Sequence, residues 1–390
     1  MKKYLLFICV VILFGIKVEA KEKPEELYAQ SAVLMDADTG RVLFEKNSES
    51  VKAMASTTKI MTCILALEHT PLNEVVTFSK NATIQPAVHL KASEGEQFYM
   101  EDMLYALMLE SYNDVAVAVA ETVAGSEVEF ARMMNQKAKE IGCENTYFIT
   151  ANGLDAEDEV GFHSTTAKDL AKIMSYCVMD SPQKEKFLEI TSRENYSFSN
   201  IARSKQYYCV NYNSYLSMNS EAISGKTGYT SKAGYCYVGA VESKGRTFVV
   251  ALLACGWPNH KNYKWSDMKE MIAYAVEEYQ LQQLPDEINQ NIVLVRNGKS
   301  ETGLYGKAEV EVVIENDEDE ILLGDSEVLE LEIELSEEIE APVENGEVLG
   351  SAIYRIDGEV VAEYPVVSTK SVKRIDFYWI FSKMIELYLK

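Results

Sequence analysis

Helical stretches occupy the middle of the first 280 or so residues, and strand-like runs flank them on both sides. On the N-terminal side, Ala32–Glu45 is typical of a hairpin, because turn residues ending in Gly40 separate two short apolar runs. Strand-like runs return at Tyr235–Val241 and Thr247–Ala254. Apolar periodicity predicts helices over residues 56–68, 100–109, 114–123, 127–141, 164–174 and 268–279. This order predicts an α/β (α+β) domain over residues 24–282, with one antiparallel sheet and an inserted helical block.

The pattern changes to strands alone near Leu284-Pro285. Val328–Leu335 alternates apolar residues with glutamates, which is typical of a half-buried strand. Asp357-Gly358 separates two further strand-like runs and predicts a hairpin. We therefore predict a small all-β, β-sandwich-like domain over residues 286–366.

The charge excludes one class of partner. The chain carries a net charge of −24, and residues 286–363 alone hold 23 acidic against 4 basic residues. Because an acidic surface repels phosphate backbones, we expect no nucleic-acid binding.

The first twenty residues resemble an export signal. Lys2 and Lys3 precede the apolar run Tyr4–Ile16, and Val18-Glu19-Ala20 places small residues where a signal peptidase cuts. The alternative, a buried core helix, does not need two lysines at its start. The apolar run is too short for a comfortable membrane span. We therefore predict a signal peptide over residues 1–20 and an exported protein, at the outer face of the cytoplasmic membrane or in the cell wall.

Cysteine and histidine patterns give no sign of a metal or cofactor. Cys9 leaves with the signal, so an even number of cysteines remains: Cys63, Cys143, Cys177, Cys209, Cys236 and Cys255. Disulfides and free buried thiols are both compatible with this spacing. No Cys-x-x-Cys pair occurs, and the four histidines lack metal-ligand spacing, so we expect neither metal nor cofactor.

The last segment, residues 370–390, predicts an amphipathic helix. On a helical wheel most apolar and aromatic side chains fall opposite the charged ones, although Arg374 and Trp379 break the division. Basic residues outnumber acidic ones from Lys370 onward, which favours an anionic lipid surface. A helix docked on its own protein is the alternative. We favour a membrane-anchor helix.

The first of three candidate active-site motifs is Ser56-Thr57-Thr58-Lys59, at the start of an apolar helix. Residues three apart share a helix face, so the Ser56 hydroxyl and the Lys59 amine can meet. A serine nucleophile needs an adjacent base, and lysine serves only when its surroundings lower its pKa. Ser-x-x-Lys alone is weak evidence, because it arises by chance about once or twice in a chain of this length.

The second and third motifs are Ser111-Tyr112-Asn113 and Lys226-Thr227-Gly228-Tyr229. In a cleft, Ser111 can relay a proton to a leaving group and Asn113 can hold a substrate carbonyl. Lys226 and Thr227 suit a substrate carboxylate, and Gly228 has no side chain to block a close approach. Each motif alone also fits a plain loop, cap or turn. All three in this order are typical of penicillin-binding proteins and class A β-lactamases.

The surrounding sequence resembles the low-molecular-weight penicillin-binding proteins of the serine-type D-alanyl-D-alanine carboxypeptidase family. The likeness runs through Ala55–Thr62, Asn152-Gly153-Leu154, His163–Thr166 and Gly225–Thr230, and extends from about residue 24 to the C-terminus. It implies a transpeptidase-like fold, peptidoglycan stem peptides as substrate, and acylation by β-lactam antibiotics.

The resemblance also implies a mechanism. Ser56 attacks the carbonyl between two terminal D-alanines with Lys59 as general base. The backbone N–H groups of Ser56 and Tyr229 form the oxyanion hole. Which group acts as base differs between accounts of this superfamily.

Several points set limits to the resemblance. Tyr112 is bulkier than the small residue usual at its position, and no arginine is evident for the substrate carboxylate, which leaves Thr227, Lys261 or Lys264. His163 is interpreted as structural, near the start of the following helix, so a Ser-His-Asp mechanism is not expected. The alternatives are a β-lactamase, although no Glu-x-x-Leu-Asn follows the second motif, and a non-enzymatic wall-binding protein with a relic fold.

Overall fold

The computed structural model describes residues 23–24, 26–286, 288, 291–316 and 320–389. The predicted signal peptide, residues 1–20, lies outside the described residues. Contacts group Lys23–Glu277 into one compact unit, and the residues from Glu278 onward form a second. We refer to these units as the N-terminal and the C-terminal domain.

The N-terminal domain is built around a five-stranded antiparallel sheet. Five of the nine strands among the domain's described residues form this sheet, and the nine are β1 (Ser31–Asp36), β2 (Val42–Lys46), β3 (Val75–Thr77), β4 (Gln97–Tyr99), β5 (Asn195–Ser199), β6 (Gln206–Val210), β7 (Ala222–Thr230), β8 (Gly234–Ser243) and β9 (Arg246–Leu253). The sheet order is β2-β1-β9-β8-β7, so strands from both ends of the domain share one sheet, and the predicted fold is confirmed. Strand β7 lies at one edge.

The helical block is inserted between β2 and β7, and a last helix follows β9. The helices are α1 (Lys59–His69), α2 (Lys80–Thr83), α3 (Met100–Leu109), α4 (Asn113–Ala124), α5 (Glu127–Glu140), α6 (Ala167–Ser175), α7 (Lys184–Ser192), α8 (Tyr215–Met218) and α9 (Tyr263–Glu278). Every residue of α1 from Lys59 to Leu67 is buried. A helix without an exposed face must be enclosed by other elements, and α1 packs against α3, α4, α5, α6 and α7.

Capping residues set several helix ends. Helix α4 stops where Gly125 adopts a φ of +79°, a left-handed conformation that glycine takes without strain. The Ser126 side chain then accepts a hydrogen bond from the Glu129 N–H and starts α5. Helix α6 begins later than predicted, at Ala167 instead of residue 164, because the Thr166 side chain is its cap.

Two short hairpins escaped the sequence analysis. Strands β3 and β4 have three residues each, too few for a readable alternation. Strands β5 and β6 pair through the register Tyr196↔Cys209 and Phe198↔Tyr207. The Tyr196 ring stacks on Tyr105 of α3 at 3.8 Å, so tertiary aromatic packing holds this hairpin in place.

In the part of the C-terminal domain that the structure describes, the regular elements after Glu278 are strands and one final helix. Its strands are β10 (Tyr279–Gln283), β11 (Ile292–Arg296), β12 (Glu309–Ile314), β13 (Glu320–Gly324), β14 (Leu329–Leu335), β15 (Glu338–Glu340), β16 (Val348–Ile356) and β17 (Glu359–Ser368). Six form a sheet in the order β14-β16-β17-β12-β11-β15, and β10 pairs with β13. Side chains from both sheets, including Val310, Ile321 and Tyr354, share one core.

The structure corrects one predicted boundary and confirms two local predictions. Residues 279–282, assigned to the catalytic domain, belong to β10, whose partner β13 lies in the C-terminal domain. The strand predicted over Val328–Leu335 is β14, an edge strand. The turn at Asp357-Gly358 joins β16 to β17 as predicted.

The last helix, α10 (Phe377–Tyr388), is shorter than the predicted segment. The Asp376 side chain caps it by accepting a hydrogen bond from the Trp379 N–H at 2.8 Å. No residue of α10 is buried, and Phe377, Phe381 and Met384 are all more than half exposed. Among the described helices, none has the length and apolar character needed to cross a bilayer.

The cysteine alternatives are also resolved by the structure. All six thiols of the described chain are free and buried, so the disulfide option is wrong. Burial raises the pKa of Cys143 and Cys236 to about 12, which keeps these thiols protonated and unreactive at neutral pH.

Candidate active site

Ser56 lies on a tight turn that leads into the central helix. Ala55–Thr58 form a single 3-10 turn immediately before α1, and Ala55 has a φ of +49°. A left-handed conformation is uncommon for a residue with a side chain and costs of order 1–3 kcal/mol, so the surrounding contacts must hold it. Ser56 is partly exposed, whereas Ala55, Thr57 and Thr58 are buried. The turn therefore presents one hydroxyl to the cleft.

The Lys59 amine meets Ser56 at the start of α1. Lys59 Nζ lies 2.9 Å from Ser56 Oγ, 2.9 Å from Asn113 Oδ1 and 2.6 Å from Asn152 O. A neutral amine has two N–H donors and one lone pair. It can donate to the two carbonyl oxygens of Asn113 and Asn152 and accept the Ser56 hydroxyl proton.

Burial holds the pKa of Lys59 well below its usual value, and the nearby Lys226 charge lowers it further, while Asp114 opposes the shift. Lys59 is completely buried. Its position in the first turn of α1 adds to this, because the positive end of the helix dipole disfavours an ammonium group. Lys59 is thus able to act as a base at Ser56.

The second motif joins the other two. Ser111 has a φ of +66°, and its Oγ accepts a hydrogen bond from Lys226 Nζ at 2.9 Å. The Asn113 side chain contacts Lys59 through Oδ1, while its Nδ2 donates to Pro86 O and Ala87 O at 3.1 and 3.2 Å. Both N–H groups of this amide are therefore engaged. The predicted contact of Asn113 with a substrate carbonyl would require it to release one of these two hydrogen bonds, while its Oδ1 contacts Lys59.

The third motif lies on the edge strand β7, against the nucleophile. A Cβ added to Gly228 would lie 2.8 Å from the Ser56 backbone nitrogen, so only glycine allows β7 this close. Lys226 is buried, Thr227 is partly exposed and Tyr229 is 40% exposed. Burial lowers the pKa of Lys226 to about 7. An edge strand has unpaired backbone groups that an extended peptide can join.

Two residues that the sequence analysis did not assign to the site help to build it. Asn152 contributes its carbonyl oxygen to Lys59, and its Nδ2 donates to Gln85 Oε1 at 3.0 Å. The Asp114 carboxylate accepts backbone hydrogen bonds from Leu90 and Lys91 at 2.8 and 3.0 Å and holds that loop beside the second motif. Asn152 was within the stretch that carries the family likeness, whereas nothing in the sequence indicated Asp114.

The two departures from the family pattern have structural answers. Tyr112 packs against the hydrophobic core, which takes up its larger ring. Lys264 is buried; its ammonium lies 4.9 Å from the Tyr235 ring centroid and 4.5 Å from that of Trp265, and it donates to Lys261 O. These contacts engage Lys264. Thr227 and the exposed Lys261 stay predictions for the substrate carboxylate, and Lys226 lies next to Thr227 on β7.

His163 is buried, as a structural residue would be, and lies behind the nucleophile turn. Its Nε2 is 2.8 Å from Thr58 Oγ1, and its Nδ1 accepts from the Ile149 N–H at 3.0 Å. No contact joins it to Ser56 Oγ in the described structure. Within the described ranges, no group of three or more His, Cys, Asp and Glu side chains is placed to hold a metal ion.

Comparisons with known proteins agree with this geometry. The family model described as D-alanyl-D-alanine carboxypeptidase matches residues 17–255, and the model described as penicillin-binding protein 5, C-terminal domain, matches residues 290–374.

Individual relatives match over most of the chain. The D-alanyl-D-alanine carboxypeptidase DacF of Bacillus subtilis is 32% identical, and the match covers 90% of this chain and 87% of the relative. Penicillin-binding protein 5 of Haemophilus influenzae has the same fold, with a TM-score of 0.71 at 22% identity over 91% of this chain and 100% of that one. Penicillin-binding protein D2 of Listeria monocytogenes, solved in an ampicillin-bound form, has a TM-score of 0.56 at 26% identity, covering 65% and 99%.

Proposed function

Because the chain belongs to the D-alanyl-D-alanine carboxypeptidase family, we propose that it removes the terminal D-alanine from peptidoglycan pentapeptides through an acyl-enzyme on Ser56. The observation that carries the proposal is the 2.9 Å contact between Ser56 Oγ and Lys59 Nζ in a completely buried amine site. A serine beside an amine whose pKa is held low is an activated nucleophile.

In acylation, neutral Lys59 takes the Ser56 hydroxyl proton as the serine oxygen bonds to the carbonyl carbon of the penultimate D-alanine. The backbone N–H groups of Ser56 and Tyr229 stabilise the oxyanion. The C–N bond then breaks, and the proton held by Lys59 passes through Ser111, which Lys226 holds in place at 2.9 Å, to the leaving amine of D-alanine. In the second half, the again neutral Lys59 takes a proton from water as the water oxygen bonds to the ester carbon, and this proton passes to Ser56 Oγ as the ester C–O bond breaks.

The substrate binds along the exposed edge of β7. Its terminal carboxylate meets the Lys226 ammonium and the Thr227 hydroxyl, and an incoming carboxylate favours the charged form of Lys226. Gly228 lets the peptide backbone approach the nucleophile. β-Lactams mimic this ligand and acylate Ser56, in keeping with the ampicillin-bound relative of similar fold.

The test is mass spectrometry of a pentapeptide ending in D-Ala-D-Ala after incubation with the protein. We expect a product one alanine lighter, and no product with Ser56→Ala. Retention of the native circular dichroism spectrum by Ser56→Ala shows that the variant folds. An unchanged pentapeptide with the wild-type protein would refute the activity, and product formation by Ser56→Ala would remove Ser56 as nucleophile.

A nitrocefin assay separates the carboxypeptidase from a β-lactamase. We expect one slow turnover, because the sequence after the second motif has no Glu-x-x-Leu-Asn to activate a deacylating water. Rapid repeated turnover of nitrocefin would favour the β-lactamase.

We also propose that the protein acts outside the cytoplasm, with the catalytic machinery in the N-terminal domain and a separate β domain following it. Cleavage after Ala20 is expected, and N-terminal sequencing of the mature protein tests it. Helix α10 is the membrane anchor in this proposal, because none of its residues is buried and Phe377, Tyr378, Phe381 and Tyr388 are exposed.

Sedimentation with vesicles tests the anchor. The full chain is expected to bind vesicles that contain anionic lipid and to bind neutral vesicles less. Phe381→Glu places a charge among the exposed apolar side chains and is expected to weaken binding, whereas Ser382→Glu adds the same charge as a matched control. Equal binding by both variants would contradict the proposed anchor face.

A further inference from the structure

His163 has a defined tautomer, because both of its ring nitrogens have partners. Nδ1 accepts hydrogen bonds from the Ile149 and Thr150 N–H groups at 3.0 and 3.3 Å and therefore carries no proton. The proton of the neutral ring is on Nε2, which lies 2.8 Å from Thr58 Oγ1. His163 is thus the donor in its contact with Thr58.

The hydrogen bonds run in one direction from His163 to the peptide before the nucleophile. Since Thr58 Oγ1 accepts from His163, its own hydroxyl proton is free to donate to Ala55 O, which lies 2.8 Å away. Ala55 is the left-handed residue that precedes Ser56. The chain of donors therefore ends on the carbonyl of the Ala55–Ser56 peptide bond.

That peptide bond carries the N–H of Ser56, one of the two proposed oxyanion donors. A peptide unit is planar, so fixing its carbonyl oxygen also fixes the direction of its N–H. A hydrogen bond accepted by the carbonyl also polarises the unit and strengthens its N–H as a donor. On the cleft side, the Ser56 nitrogen lies against Gly228 of β7.

A second contact confirms that Ala55 O has little freedom. A Cβ added to Gly153 would lie 2.1 Å from Ala55 O, so the loop that bonds His163 also packs directly on this carbonyl. The structure holds the carbonyl from the rear by the Thr58 hydroxyl and by close packing at Gly153.

We propose that His163 is a positioning residue for catalysis, which acts through Thr58 to orient and polarise the peptide group that donates the Ser56 N–H to the oxyanion. This inference rests on the proposed function. In this role His163 takes no part in proton transfer. Its replacement should slow acylation of Ser56, whereas replacement of a histidine that only fills the core should not.

His163 stays neutral over the working range of the enzyme. Burial and the charge of Lys59 lower the pKa of His163 to about 3. The donor on Nε2 is therefore present at every pH at which Lys59 is neutral. Loss of His163 is expected to reduce the rate without moving the pH profile, whereas a proton-transfer role would alter the profile.

Two substitutions of His163 test the acceptor at Nδ1 and the donor at Nε2 separately. The oxygen of Asn reaches the position of Nδ1 and can accept from Ile149, but His163→Asn has no donor for Thr58. The amide of Gln reaches the position of Nε2, so His163→Gln keeps that donor. The assay is the second-order rate of labelling by a fluorescent penicillin, measured well below the melting temperature of each variant. We expect His163→Asn to label about 10-fold more slowly, less than the 10²–10³-fold cost of removing an oxyanion donor itself, and His163→Gln to retain most of the rate.

A double-mutant cycle with Thr58 tests whether the two residues act as one chain. Thr58→Val removes the hydroxyl and is expected to slow labelling about as much as His163→Asn does. Thr58→Ser keeps a hydroxyl and is expected to label at close to the wild-type rate. The double variant His163→Asn/Thr58→Val should be no slower than Thr58→Val alone, because both remove the same connection. With the peptide substrate, kcat should fall and KM should stay unchanged.

The outcomes are distinct. Wild-type labelling that depends on Ser56 supports the proposed function independently of His163. Wild-type rates for His163→Asn, multiplied losses in the double variant, or a shifted pH profile would each overturn the inference. If His163→Asn fails to fold, the comparison of Thr58→Val with Thr58→Ser decides, and equal rates for those two variants refute the chain.

Discussion

Replacing Lys226 by methionine should change both activity and the pH dependence of stability. The Lys226 side chain is 2% exposed, and burial lowers its pKa from 10.5 to about 7. In the unfolded chain the pKa returns to its ordinary value. Between pH 7 and pH 10 the unfolded state therefore binds a proton that the folded state does not.

This difference gives the sign and the size of the effect. When the unfolded state binds more protons, the free energy of unfolding rises with pH, by about 1.36 kcal/mol per pH unit for one group. From pH 10 down to pH 7 the wild-type protein therefore loses about 4 kcal/mol through Lys226. Lys226→Met does not lose stability in this way. The substitution leaves Ser111 Oγ and Thr227 O without the hydrogen bonds that Lys226 donates, which lowers the free energy of unfolding by an amount that does not depend on pH.

Urea unfolding of both proteins at several pH values measures the effect. Trp257 and Trp265 lie in the N-terminal domain and report its unfolding by fluorescence. The stability of Lys226→Met relative to wild type should increase by about 4 kcal/mol from pH 10 to pH 7, and contributions from other titrating groups cancel in the difference. A difference that stays constant with pH would show that Lys226 keeps its ordinary pKa, and the reasoning would fail. Labelling by penicillin should be lost at every pH.

Three further outcomes follow from the structure. Gly228→Ala places a Cβ 2.8 Å from the Ser56 nitrogen, so penicillin labelling should fall by at least 100-fold, and a wild-type rate would contradict the close approach of β7. Glu68→Ala breaks a partly buried 2.7 Å ion pair with Lys137 and should lower stability by about 1–3 kcal/mol in calorimetry while labelling at 20 °C or so is retained. Lys226→Arg keeps its charge at high pH, so the alkaline fall in kcat/KM for the pentapeptide, expected near pH 7 in the free wild-type enzyme, should disappear.

Much of the architecture could be predicted from local patterns. The hairpin of β1 and β2 and the hairpin at Asp357-Gly358 have strong turn residues between apolar runs, and both form as expected. Helix α1, which follows Ser56, could be predicted because its sequence is largely apolar. The hairpin of β5 and β6 could not, since rings from other segments hold it in place.

The candidate site also combines features that local sequence predicts with features that depend on the fold. The motifs begin 55 and 170 residues after Ser56 and could be identified from residue types, because the chemistry needs two serine hydroxyls, two amines and an amide. Their convergence depends on the sheet order, which places β7 against the turn at Ser56. The positive φ of Ala55, the carbonyl of Asn152 and the direction of the His163 hydrogen bonds depend on backbone positions, which no side-chain pattern records.

The most direct test of acyl transfer at Ser56 is to locate the adduct itself. The intact protein is mixed with benzylpenicillin, its mass is measured, and the modified peptide is sequenced after digestion. We predict one adduct per chain, on Ser56, and none on the Ser56→Ala protein. An adduct on Ser111 or another residue, or release of D-alanine by a protein that cannot be acylated at Ser56, would contradict the account.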